Sequence, residues 1–379
     1  MEQTVITVAG QYSVLKKWAW EHHVRNLLIV CGKSVMKQEI YHYFGEMSRQ
    51  LDINLFYFMD FQPNPLYENV VRGIEVFRRE NCDSIIAIGG GSSIDVAKCI
   101  KLYSNSGLSG EGGNFLDYPG VSNPVPFLAI PTTAGSGSEA TRFSVIYYNG
   151  IKQSICDADC IPGTVLFDSS LLKTLPLYQK KATMMDALCH AVESFWSVNS
   201  TDDSREYSRE AINRIMRSWK GYLSNTEDGR TEMLSASYTA GRAINIAQTT
   251  AGHAMCYKIT ELFGCAHGHA AALCDRVLFP WMCANTQRCI DQRGQAFVNN
   301  VLDQIGTAIG GADAKTGAEI FDSLFDSIGL TVPAASLHQF QILRTSVNPE
   351  RLKNHPIMLD EELLDSLYHA ILRERIYES

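Results

Sequence analysis

Residues 84–102 read SIIAIGGGSSIDVAKCIKL, a short apolar run, three consecutive glycines and a helix-favouring segment. A strand that enters a helix through so tight a turn is half of a βαβ unit. Gly89, Gly90 and Gly91 let the backbone turn sharply and approach a ligand, and Ser92 and Ser93 are placed to cap the helix. The N–H groups at such a turn offer a pyrophosphate site. The pattern is not the GxGxxG fingerprint, and glycine-rich strand–helix turns are common, so the turn alone assigns no dinucleotide. Asp95 and Lys98 need do no more here than stabilise the first helical turns.

The same alternation continues on both sides of this stretch. TVITV (4–8), NLLIVC (26–31), NLFYFM (54–59) and PFLAI (126–130) are further apolar runs between helical segments, one of which is expected near Val35–Leu51. The loop PTTAGSGSEAT (131–141) puts Thr132, Thr133, Ser136 and Ser138 at the mouth of the same sheet. Two polar loops at adjacent strand ends are what a nucleotide crevice requires. From about Pro176 the pattern turns helical, and in DSREYSREAINRIMRSWKGYL (203–223) Tyr207, Ala211, Ile215, Trp219 and Tyr222 fall along one stripe. The expected organisation is a parallel α/β domain over residues 1–165 and an all-α domain over 166–379.

Composition narrows the function classes. A chain of 379 residues exceeds what one hydrophobic core usually supports, in keeping with two domains. A net charge of −8 and a pI near 5.7 argue against nucleic acid and an anionic membrane surface as partners. No apolar run approaches transmembrane length, and the N-terminus lacks the basic and apolar regions of a secretory signal. Eleven scattered cysteines fit a reduced, cytoplasmic chain better than a disulfide framework.

The helical half carries the candidate chemistry. AQTTAGHAMCYKITELFGCAHGHA (247–270) holds His253, His267 and His269 in an apolar run whose spacing predicts a helix ending at Gly264. A chain that breaks there and doubles back brings His253 and His267 to one point. Upstream, KKATMMDALCHAVESFW (180–196) places Asp186 and His190 one turn apart on one helix face. A buried Asp must be paired, hydrogen-bonded or bound to a cation, and one Asp with three His suits Fe²⁺ or Zn²⁺. Core histidines and a helix-stabilising Asp–His pair are the alternative. Cys256 and Cys265, outside any CxxC grouping, read as small core residues.

GGGSSIDVAK, PTTAGSGSEAT, DALCHAVE and GHAMCYKITELFGCAHG, in this order and at these separations, resemble the iron-containing (group III) alcohol dehydrogenases. The likeness runs from Asn64 to the NPERL near the C-terminus. It implies a Rossmann-like dinucleotide-binding domain, a helical metal-binding domain and an active site between them. It also implies Asp186, His190, His253 and His267 as metal ligands, with Fe²⁺ ahead of Zn²⁺. Asn64, Gly90, Gly91, Ser92, Asp95, Thr132, Thr133 and Lys152 fall on its cofactor-binding positions, and a homodimer is the implied assembly. The implied chemistry is hydride transfer from NADH or NADPH to a carbonyl polarised by the metal.

Where many members carry a further histidine, this chain has Tyr257, expected to pack beside the nicotinamide rather than relay a proton; Lys258 replaces a usual proline. INIAQTTAGHAM, YKIT and HGH together resemble a narrower, phosphonate-metabolism-associated branch. After NLLIVC the chain reads Gly32-Lys33-Ser34, without the carboxylate that would repel a 2′-phosphate, so NADPH is expected to be accepted. Gln248, Thr249 and Thr250, with Lys258 and Arg142, make the expected substrate site polar and cationic; Arg242 reads as a solvated charge. The expected substrate is a small anionic aldehyde, phosphonoacetaldehyde, reduced to 2-hydroxyethylphosphonate. A general short-chain alcohol dehydrogenase, a sugar-phosphate cyclase resembling dehydroquinate synthase and a non-catalytic binding protein are the other readings.

Overall fold

Continuous burial, rather than alternation, marks the strands that surround the glycine turn. Leu27–Cys31, Ile85–Ile88 and Leu128–Ile130 are shielded on both sides, as strands of a parallel sheet between two helical layers must be. The computed structural model describes residues 3–105, 114–117 and 122–375 and divides into two compact units, Met1–Leu175 and Pro176–Ser379.

In the first unit, β1 (Thr4–Val8), β2 (Asn26–Cys31), β3 (Asn54–Phe58), β4 (Ser84–Gly89) and β5 (Phe127–Pro131) alternate with helices. These helices are α1 (Ser13–Glu21), α2 (Glu39–Leu51), α3 (Tyr67–Arg79) and α4 (Gly91–Tyr103). A hairpin, β6 (Phe143–Tyr148) and β7 (Ile151–Cys156), precedes β8 (Thr164–Asp168). The main sheet is wholly parallel in the order β1-β8-β5-β4-β2-β3. One face packs on Leu15, Trp18, Phe44 and Met47 of α1 and α2, the other on Val70, Ile74, Val96 and Ile100 of α3 and α4.

Four expectations are corrected here. β8 pairs with β1 as far as Asp168, so the first unit runs to Leu175 rather than stopping at 165. The helix expected over Val35–Leu51 is interrupted at Gln38, which is extended (φ −103°, ψ 152°) between a short 3₁₀ turn and α2. α4 begins at Gly91 after an uncapped Gly90, so Ser92 and Ser93 lie inside the helix instead of capping it. Lys98 is fully buried, donating to Thr141 O (2.8 Å), Thr141 Oγ1 (3.1 Å) and Phe143 O (2.6 Å), and so ties α4 to the start of the hairpin.

The second unit comprises α5 (Leu177–Trp196), α6 (Asp202–Leu223), α7 (Glu227–Ala247), α8 (Ala251–Phe263) and α9 (His267–Ala284). α10 (Gln295–Ile309), α11 (Ala314–Ser327), α12 (Leu337–Arg344), α13 (Pro349–Leu352) and α14 (Glu361–Ile371) follow. α5 is the central rod, buried without interruption from Met184 to Trp196. The buried stripe of α6 runs through Ser204, Ser208, Ala211, Ile215, Ser218 and Tyr222, which leaves Tyr207 and Trp219 on its flank. Among the described residues no helix is long and apolar enough to cross a membrane.

Candidate metal centre and nucleotide loops

Asp186, His190 and Glu193 stand at i, i+4 and i+7 on α5 and share one buried stripe. Gly264 closes α8 in the left-handed conformation (φ 64°), and α9 starts at His267. Gly268 then lets α9 lie flush on α5: a Cβ there would sit 2.1 Å from Ala182 O and 2.4 Å from Asp186 Cβ. Only glycine fits. At the start of α8 a Cβ on Gly252 would meet Asp275 Oδ1 at 2.0 Å and Glu193 Oε1 at 2.8 Å. These two bare positions press three helices together at the carboxylates and set His253 and His267 beside Asp186.

One donor atom each from Asp186, His253 and His267 lies within 4.8 Å of the others. His253 Nε2 is 3.6 Å from Asp186 Oδ1, and neither buried atom has a hydrogen-bond partner among the described residues. The His253 and His267 rings are 5.3 Å apart at 67°. His190 stacks almost parallel on His253 (4.5 Å, 17°), beside the group of three but not within it. An orphaned carboxylate oxygen facing an orphaned imidazole nitrogen is costly unless a cation sits between them. A set of oxygen and imidazole donors fits Fe²⁺ or Zn²⁺, so the residues present suit the implied metal.

Glu193, fully buried, organises this centre from behind. Its carboxylate accepts from Thr250 N (2.5 Å), Thr250 Oγ1 (2.8 Å) and His253 N (3.0 Å), and also pairs with His253 Nδ1. Trp196 Nε1 donates to the same Thr250 hydroxyl (2.8 Å). In the neutral ring, a proton held at Nδ1 leaves the Nε2 lone pair facing Asp186, the usual way a carboxylate orients a ligating histidine. Burial pushes the Asp186 carboxyl up, but the imidazoles of His190, His253 and His267 prevail and hold it below the usual range. Burial pushes His253 down, and Glu193 and Asp186 overcome it to raise the imidazole to about 10. Asp275, fully buried with both oxygens unpartnered, is driven well above the carboxylate range by burial and then by Glu193. In the sequence, the i+7 spacing of Glu193 from Asp186 is the signal that places it on the same helix face.

The other expected residues are distributed unevenly. Tyr257 stacks on His267 (5.5 Å, 7°), and its hydroxyl accepts from Arg351 Nη1 (3.2 Å). Lys258 is not turned to the metal centre: its ammonium pairs with Glu261 at 2.6 Å. Five residues beyond His253 is a rotation of about 140° round the helix, which explains the correction. Gln248 and Thr249 do lie at the mouth of α8, with Asn354 Nδ2 donating to Gln248 Oε1 (3.3 Å) and Thr249 O (3.2 Å). Arg242 is exposed and lies over the Tyr207 ring at 4.0 Å. His269 is a core histidine, bonded to Tyr178 Oη (3.1 Å) and Thr331 O (2.9 Å), and Cys256 is buried.

In the first unit, the register aligns Cys31 of β2 with Ile88, and Pro131 of β5 with Gly89. The glycine turn is therefore flanked by Gly32 on one side and by Thr132 and Thr133 on the other. A Cβ on Gly90 would lie 3.0 Å from Thr133 Oγ1, and one on Gly91 3.1 Å from Ser136 Oγ. Asp95 accepts from Ser138 Oγ (2.5 Å) and Val145 N (3.0 Å), so it holds the two loops together, with the charge of Lys152 on β7 nearby. Asn64 is exposed in the left-handed region (φ 58°) between β3 and α3. Arg142 also belongs to this unit, its guanidinium 5.5 Å from the Phe143 ring.

Comparison with known proteins agrees with this geometry. Residues 3–169 match the family model "Iron-containing alcohol dehydrogenase", and residues 180–344 match "Fe-containing alcohol dehydrogenase family, C-terminal". The chain belongs to the iron-containing alcohol dehydrogenases. Alcohol dehydrogenase 4 of Schizosaccharomyces pombe is 33% identical over 290 residues, which are 74% of this chain and 66% of that one. Phosphonoacetaldehyde reductase of Streptomyces viridochromogenes is 29% identical over 305 residues, 76% of each. Among solved structures, the sulfoacetaldehyde reductase of Bifidobacterium kashiwanohense in complex with NAD⁺ superposes with a TM-score of 0.85 at 25% identity. That match covers 97% of this chain and 96% of the other. The family is one of NAD(H)-linked oxidoreductases that use a divalent metal.

Proposed function

We propose that this iron-type alcohol dehydrogenase reduces a small aldehyde to its primary alcohol, and that the aldehyde is phosphonoacetaldehyde, giving 2-hydroxyethylphosphonate. The observation that carries the reaction is the convergence of Asp186, His253 and His267 on a buried point where Asp186 Oδ1 and His253 Nε2 have no hydrogen-bond partner among the described residues. With His190 completing the set, these residues would hold Fe²⁺ in preference to Zn²⁺, and a bound ion supplies Lewis-acid polarisation of a carbonyl. Glu193 keeps the His253 ring oriented for that task.

A bound reduced nicotinamide would supply the hydride to the carbonyl carbon, with the C=O π pair moving to oxygen and that oxygen taking a proton from water. Gly32, Asn64, Gly90, Gly91, Ser92, Asp95, Thr132, Thr133 and Lys152 are assigned to the cofactor, Asp95 by holding its loops. The absence of a carboxylate at Gly32-Lys33-Ser34 leaves NADPH as acceptable as NADH. Tyr257 packs on His267 and donates no proton in this scheme.

The substrate assignment draws on two relatives, named as reductases of phosphonoacetaldehyde and of sulfoacetaldehyde. Both compounds are two-carbon aldehydes ending in a tetrahedral oxyanion. A cytoplasmic homodimer belongs to the same proposal. The test is an aldehyde series, from phosphonoacetaldehyde and sulfoacetaldehyde to acetaldehyde and propanal, assayed with NADH and NADPH after loading with Fe²⁺ or Zn²⁺. Phosphonoacetaldehyde is expected to give the highest kcat/KM. Faster turnover of the uncharged aldehydes would leave only a general short-chain alcohol dehydrogenase.

A further inference from the structure

The segment around α13 is strapped across the amino-terminal part of α8. Asn354 holds Gln248 and Thr249 just before the helix, and His355 is buried edge-on against Trp196, ring centroids 6.3 Å apart. Arg351, half-buried on α13, reaches Tyr257 of α8. Its guanidinium carbon is 5.2 Å from the Tyr257 ring centroid, and Nη1 donates to Tyr257 Oη at 3.2 Å. Tyr257 in turn lies 5.5 Å from His267 and within 7° of parallel to it. A fixed cation thus stands one aromatic ring away from a proposed metal ligand.

Among the described residues Arg351 makes no ion pair, and the adjacent Glu350 is taken by Lys353 at 2.7 Å. Lys258, on α8 itself, is already neutralised by Glu261. A half-buried guanidinium with one N–H committed to a tyrosine keeps most of its planar fork of donors for something else. That fork matches two oxygens of a carboxylate, phosphonate or sulfonate, and a neutral aldehyde tail offers it nothing.

We propose that Arg351 binds the anionic head of the substrate, a tetrahedral oxyanion on a two-carbon aldehyde. The inference rests on the reduction proposed above and names the residue that would select its substrate. Tyr257 is the spacer: its hydroxyl fixes the guanidinium while its ring packs on His267.

The test compares metal-loaded wild type with Arg351→Met and Arg351→Lys on phosphonoacetaldehyde, sulfoacetaldehyde and propanal. Calorimetric binding of 2-hydroxyethylphosphonate serves as a readout independent of turnover. Arg351→Met is expected to raise KM for the phosphonate by roughly 10–150-fold, the loss of a charge-assisted contact, and far more than for propanal. Product binding should weaken by a similar factor, and Arg351→Lys should fall between, keeping the charge without the fork. The wild-type ratio of kcat/KM for the two anionic aldehydes decides whether phosphonate or sulfonate is the native head. Equal effects of Arg351→Met on charged and neutral substrates would overturn the assignment of Arg351 alone. A wild type that prefers propanal to both anions would remove the substrate reading and this inference with it. If the Met variant does not fold, inhibition of propanal reduction by 2-hydroxyethylphosphonate decides: it should be weaker in Arg351→Lys, and unchanged inhibition would refute the role.

Discussion

Replacing Glu193 by Gln tests whether the carboxylate behind His253 is what makes the metal centre work. Four donors converge on this fully buried side chain: the N–H and hydroxyl of Thr250, and the backbone N–H and Nδ1 of His253. A carboxylate meets all four with two oxygens. An amide keeps one oxygen and turns an NH₂ group onto the other two donors, leaving them buried and unsatisfied at about 1–3 kcal/mol each. The expected loss of stability is therefore about 2–6 kcal/mol, several degrees in melting temperature for a unit of this size. The His253 ring also loses the anion that fixes its tautomer, which should weaken metal binding roughly 10–100-fold. Chelator competition with Zn²⁺ near neutral pH, with calorimetric melting of the metal-free protein, measures both. If the Gln variant melts with the wild type and binds zinc as tightly, Glu193 is a bystander and the orientation argument is wrong.

His267→Ala should abolish turnover and lower metal occupancy while nicotinamide binding, followed by fluorescence, is retained; full wild-type activity after stripping the metal would sink the ligand assignment. Gly32→Asp, at the end of β2 beside the glycine turn, should shift preference from NADPH toward NADH, and an unchanged ratio of kcat/KM would count against that placement. Glu139 is fully buried with Oε1 unpartnered, and burial raises its carboxyl from 4.5 to about 7. Because the folded value exceeds the unfolded one, its share of stability is complete below 4.5 and lost as pH rises through about 7. Glu139→Gln, which cannot ionise, should therefore gain on the wild type with rising pH, by on the order of 3 kcal/mol at most. Melting curves whose difference does not change with pH would refute this.

The strands of the first unit were legible because burial on both faces demands an unbroken apolar run, and Leu27–Cys31 or Ile85–Ile88 has no other explanation. The β6–β7 hairpin went unread although its signal was present. Asn149-Gly150 separates the two strands with φ of 51° and 75°, the left-handed pair that a two-residue turn requires. The buried stripe of α6 was misplaced for a different reason. Ser204, Ser208 and Ser218 count as polar in any periodicity, yet each returns its hydroxyl to a carbonyl of the preceding turn, at 3.1, 2.9 and 2.7 Å. A serine satisfied in this way is small enough for the core, and the bulkier Tyr207 is left outside to carry Arg242.

The grouping of Asp186 with His253 and His267 was legible in part because a carboxylate buried in a helix needs a partner. What lay behind it was not, since the partners of Glu193 arrive from α8, more than fifty residues later. The cations show the same limit most clearly. Lys258 drew attention by standing five residues from His253, but a charge on a helix finds its counter-ion within a turn, and Glu261 was already there at i+3. Arg351 is separated from Tyr257 by 94 residues, and proximity in sequence gave no reason to join them. Its own neighbour Glu350 is spent on Lys353, so the local rule that neutralises Lys258 leaves Arg351 without an anion among the described residues. A cation held by a tyrosine beside a proposed metal ligand, with no carboxylate among the described residues, is the place where the proposed substrate's anionic head would bind.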